Sequence, residues 1–86
     1  MPTLSQFHGV HVRMRWNDHA PPHFHAVYGE CELLVRIAPA IIQEGNAPAR
    51  VRSMVLEWTA LHQRELMDAW ERCRVGQQPV PIEPLE

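Results

Sequence analysis

Chemistry in this chain concentrates in Asn17-Asp18-His19-Ala20-Pro21-Pro22-His23-Phe24-His25, where three of the six histidines fall within seven residues. The two prolines fix φ and disfavour helix before them, so His23-Phe24-His25 is expected to leave the turn extended. Alternate residues of a strand share a face, which would set His23 and His25 about 6.6 Å apart along the chain with Phe24 behind them. Two imidazoles that titrate near neutral pH would then project together beside an apolar anchor.

Two chemistries suit that arrangement. Cleavage of RNA through its own 2′-OH needs a base, an acid and cations for the phosphate. His23 and His25 fit the proton-transfer roles, Arg13 and Arg15 fit the phosphate contacts, and His19 with Asp18 would orient the site. The alternative is a divalent transition metal such as zinc, ligated by His19, His23 and His25, with Asp18 as a fourth ligand or a hydrogen-bonding neighbour. Nearby arginines count against a dication. The non-functional alternative is a rigid turn whose histidines are hydrogen-bonded spacers. His8 and His11 read as surface residues, and His62 as a core histidine that could instead join Glu57 or Glu65.

The elements that must position these residues follow from periodicity. Phe7 to Trp16 alternates, with Val10, Val12, Met14 and Trp16 on one face and His11, Arg13 and Arg15 on the other. His23 to Tyr28 reads as a second strand, Gly29 as a tight reversal, and Glu30 to Ile37 as a third. Ile41 to Gln43 is a short edge strand at most, and Gly45-Asn46 ends it. Beyond Pro48 the apolar spacing becomes three and four: Val51, Val55, Trp58, His62, Leu66, Ala69 and Cys73 form one stripe. A single helix over about 48–75 would be a rod near 39 Å long, more than so small a sheet needs, so a bend near His62 or a partner-binding overhang is expected. Gly76 stops it. The proline-rich tail 77–86 is extended, with Ile82 and Leu85 available to lie in a groove.

The expected fold is therefore α+β: an antiparallel three- to four-stranded meander, strands within 7–43, with one long C-terminal helix packed on one face. Residues 1–86 form one domain, and the uncovered sheet face carries His11, Arg13, Arg15, His23, His25, Glu32 and Arg36. A chain of 86 residues buries only about 60% of its unfolded surface, which favours a partner or a homo-oligomer. The formal net charge of −2 argues against indiscriminate nucleic-acid binding while leaving room for a local basic patch. Cys31 and Cys73 lack metal or redox spacing and read as reduced core thiols. With no signal-like N-terminus and no apolar run able to cross a bilayer, the expectation is a cytoplasmic protein without membrane contact.

Pro2-Thr3-Leu4-Ser5, Asn17-Asp18-His19, Pro22-His23-Phe24-His25-Ala26, Tyr28-Gly29-Glu30 and Leu56-Glu57-Trp58 stand in an order that resembles the domain of unknown function 4160 family. These are small, mainly bacterial proteins marked by PHFHA and LEW motifs, and the resemblance runs nearly the full length to Ile82-Glu83-Pro84-Leu85. It implies a toxin–antitoxin setting: a small, antitoxin-like protein partner encoded nearby, and RNA as the target of a metal-independent, toxin-like ribonuclease. A non-enzymatic module that binds its neighbour through the sheet face or the helix is the further alternative.

Overall fold

The computed structural model describes residues 1–86. It is an α+β fold with five antiparallel strands in sequential order: β1 (Thr3–Phe7), β2 (Val10–Arg13), β3 (His23–Tyr28), β4 (Cys31–Arg36) and β5 (Ile41–Gly45). Two helices follow, α1 (Ala49–Leu61) and α2 (Gln63–Arg74). The meander thus has one strand more than the most generous sequence expectation, and its strands span 3–45 rather than 7–43.

The extra strand comes from splitting the run Phe7–Trp16. His8 and Gly9 both take positive φ, 47° and 83°, and turn β1 back on β2 with Phe7 opposite Val10. A two-residue loop with both φ positive matches the twist of the flanking strands. β2 then ends at Arg13. Trp16, expected in the core, is 43% exposed, because the chain has already turned away from the sheet at Asn17 (φ 48°).

Alternation holds across the rest. Val10, Val12, Phe24, Ala26, Leu33 and Val35 are buried on the helix side. Their registers agree: Val12 opposes Ala26, Phe24 opposes Val35, and Ala26 opposes Leu33. The apolar stripe of the helices closes this core with Val51, Val55, Trp58, Leu66, Ala69 and Cys73, all buried.

The expected single helix is two, because His62 (φ −122°, ψ 29°) leaves helical geometry. Thr59 Oγ1 donates to Val55 O at 2.6 Å, a back-bond that bends helices. Beyond the break, Gln63 Nε2 donates to Ile37 O at 2.8 Å and holds the start of α2 to the end of β4. His62 is half-buried and its Nδ1 pairs with Glu65 Oε1 at 2.6 Å. α2 ends in a Schellman motif: Gln77 N–H donates to Arg72 O, Gly76 N–H donates to Cys73 O, and Gly76 takes φ 78°. No helix is long and apolar enough to cross a membrane.

The tail is extended, as its prolines require, and it lies against the fold. Ile82 is 5% exposed, its N–H donates to Leu4 O at 2.8 Å, and the Trp58 indole N–H donates to Glu83 O at 2.8 Å.

Candidate functional site: two imidazoles and a carboxylate

β3 carries His23 and His25 out of the Pro-Pro turn in extended conformation, with ring centroids 5.7 Å apart. Phe24 between them is fully buried in the core. The pair does project together from one face, but not as freely exposed rings. The side chains of His23 and His25 are only 12% and 8% exposed, because neighbouring strands and the 14–22 connection close around them.

Each ring is held by a specific acceptor. His23 Nδ1 lies 2.8 Å from Pro21 O. A carbonyl only accepts, so Nδ1 carries the proton there. His25 Nδ1 lies 2.9 Å from Glu32 Oε2, and a carboxylate imposes the same tautomer. The Nε2 of His23 donates to Asp18 Oδ2 at 3.0 Å, since a carboxylate too only accepts, so both nitrogens of this ring carry a proton here; the Nε2 of His25 is buried with no hydrogen-bond partner. An unsatisfied buried nitrogen of this kind costs about 1–3 kcal/mol.

Asp18 completes the group. One donor atom from each of Asp18, His23 and His25 lies within 4.8 Å of the others. Burial alone would raise the Asp18 carboxyl. The His19 N–H at 2.8 Å, the charge and hydrogen bond of His23, and the nearby Arg15 charge outweigh it and hold the group below its usual 3.8. The turn is fixed from behind, since Asn17 N–H donates to Cys73 O at 3.0 Å at the end of α2. From the same helix Trp70 packs against the His23 ring, with centroids 5.2 Å apart.

The remaining sequence candidates divide. His19 is exposed and lines the same cavity, of about 340 Å3, but its ring is not part of the three-donor group; Asp18 is. Arg15 lines that cavity as well. Arg13 stands directly opposite His25 on β2, half-buried. Sequence reasoning placed Glu32 and Arg36 on this face without giving either a role. The signal for them was the two-residue loop Gly29–Glu30: with Tyr28 opposite Cys31, the register necessarily sets Arg36 opposite His23 and Glu32 diagonal to His25. Trp70 falls at the margin of the helical apolar stripe, and nothing in the sequence joins it to His23.

Fold and site together define a small α+β domain in which the third strand of a five-stranded meander carries paired, carboxylate-flanked imidazoles. A family model matches residues 9–71, and the chain belongs to that family, described as Domain of unknown function (DUF4160). Comparison with curated proteins and with solved structures finds no match.

Proposed function

We propose that the chain is a divalent-metal protein in which Asp18, His23 and His25 hold one ion. The observation that carries this reading is the buried Nε2 of His25, left without a partner while its Nδ1 is fixed by Glu32. Metal-ligating histidines characteristically donate their other N–H to a carboxylate or carbonyl, and both rings here do so. Two imidazoles and one carboxylate leave coordination positions open, the arrangement of catalytic rather than structural centres, and an ion so held lowers the pKa of bound water. This ligand set replaces His19 of the sequence expectation with Asp18.

The test is calorimetric titration of chelator-stripped protein with zinc and cobalt. Wild type should bind one ion per chain, His25→Ala and Asp18→Asn should lose at least tenfold in affinity, and His19→Ala should bind like wild type. No binding at micromolar metal, or an unaffected His25→Ala, refutes the reading.

A second reading follows the sequence more closely: a toxin-like component of a bacterial toxin–antitoxin module, with a small protein partner, acting on RNA. His23 and His25 would share proton transfer, Arg13 and Arg15 would hold phosphate, and His19 with Asp18 would orient the site. What supports it is that Arg13, Arg15 and Arg36 form no ion pair with any carboxylate, whereas Arg72 and Arg74 do. Against it stands the seclusion of His25 Nε2, which a general base must expose. Induced expression without the partner decides: equal growth and intact total RNA for wild type and His23→Ala removes this reading.

A further inference from the structure

We infer, building on the metal reading, that the cavity beside Asp18, His23 and His25 takes a phosphate ester, whose anionic oxygens are shared between the ion and the Arg15 guanidinium. Arg15 lines the cavity, is exposed, and donates to no protein acceptor, so its five N–H groups are available to an incoming ligand. The cross-strand neighbours of the two histidines stand just outside that lining. Arg13 opposes His25, and Arg36 opposes His23 with its Nε buried and unpartnered. Guanidinium groups bind phosphate and carboxylate alike through two parallel N–H bonds, but a carboxylate that gives one oxygen to the ion keeps only one for Arg15, whereas a phosphate keeps two.

The charges in the cavity lining make this binding conditional. With His23 and His25 neutral, as ligation requires, Arg15 is outnumbered by Asp18 and Glu44, and the lining without an ion is formally negative by one and repels an anion. A bound dication reverses the sign to positive by one. Phosphate should therefore enter only after the metal, the expectation for a ligand that completes the ion's open positions.

The probe is inorganic phosphate added to cobalt-loaded protein, read through the visible absorption of the ion, with uridine 3′-monophosphate as the ester and acetate as the carboxylate control. Phosphate and the ester should both shift the cobalt band saturably, and the metal-free protein should give no heat with either in calorimetry. Arg15→Ala should weaken phosphate roughly tenfold or more while still forming the cobalt band, and Arg64→Ala, on α2, should change neither phosphate nor cobalt binding. A cobalt band that forms but ignores phosphate overturns the inference and leaves the metal site standing. So does an Arg15→Ala protein that binds phosphate like wild type, or acetate that competes equally. A protein that forms no cobalt band in the absence of phosphate overturns the metal reading itself, and the anion site falls with it.

Discussion

His25 and Glu32 meet at 2.9 Å across the β3–β4 hairpin, Nδ1 to Oε2. The bond closes over only seven residues, yet it decides which nitrogen of a buried ring is bare. His25 is 8% exposed at its side chain, while Glu32 is 57% exposed, so the carboxylate reaches in from the surface to orient an interior group. Removing it frees the ring to change tautomer or rotate. Glu32→Ala should therefore keep the fold and lose about 10- to 100-fold in metal affinity. Titration of the stripped variant checks this, and affinity within twofold of wild type would show that Glu32 does not set the ring.

The tail offers a different test. The sequence suggested Ile82 and Leu85 as groove-filling residues. Ile82 is already buried within its own chain, held by bonds to Leu4 and, through Glu83, to Trp58. Truncation after Gly76 should thus lower stability by about 1.5–3 kcal/mol from Ile82 alone. A loss of that size would reduce Tm by several degrees in a domain this small. Trp58→Phe keeps most of the core volume and removes the indole bond, at a cost of about 0.5–1.5 kcal/mol. Denaturant melts of the three proteins measure both numbers.

Gly45 and Gly29 separate two uses of glycine. A Cβ at Gly45 would lie 2.0 Å from the backbone oxygen of Glu32, at φ 93°, where β4 and β5 approach and their register shifts. Nothing stands within 4 Å of a Cβ at Gly29. Gly45→Ala should cost about 3 kcal/mol or more, combining left-handed strain with a backbone collision. Gly29→Ala should cost about 1–2 kcal/mol, from strain alone. Equal melting curves for the two variants would contradict this ranking.

Asp18 gives a pH dependence with a fixed sign. Its carboxyl is held below the usual 3.8 by the His19 N–H, His23 and Arg15, against the opposing effect of burial. A group whose folded value is depressed stabilises the protein above its unfolded value and ceases to do so as pH falls through the folded one. In metal-free protein, the gap in Tm between wild type and Asp18→Asn should be open above the ordinary carboxyl value of 3.8 and narrow as pH falls below it, closing once the depressed folded value is passed. A gap that persists unchanged into strong acid would mean that the carboxylate contributes through packing alone.

Much of this organisation was legible in the order of residue types. Period-two alternation correctly assigned Phe24 and Ala26 to the core side and His23 and His25 to the other, because a strand admits only two faces. The three-and-four spacing named six residues of the helical stripe that are buried. What eluded it has local causes. His8 is a poor signal for a left-handed turn, so β1 and β2 merged into one apparent strand. A helix break made by Thr59 bonding back to Val55 leaves no glycine or proline in the text, although the excess length of the rod pointed to His62. Which of Asp18 and His19 groups with His23 and His25 was not legible, because the two are adjacent in a turn, where no periodicity dictates which side chain points inward.

Trp70 rests on the imidazole of His23 from the last turns of α2, and the Cys73 carbonyl one turn on grips the Asp18 loop. The protein consequently carries its own optical reporter. Indole emission depends on what the ring touches, so ligation or displacement at His23 should become visible through Trp70 without a label. With Trp16 and Trp58 replaced by phenylalanine, one indole would remain, and it is the one stationed at the chemistry.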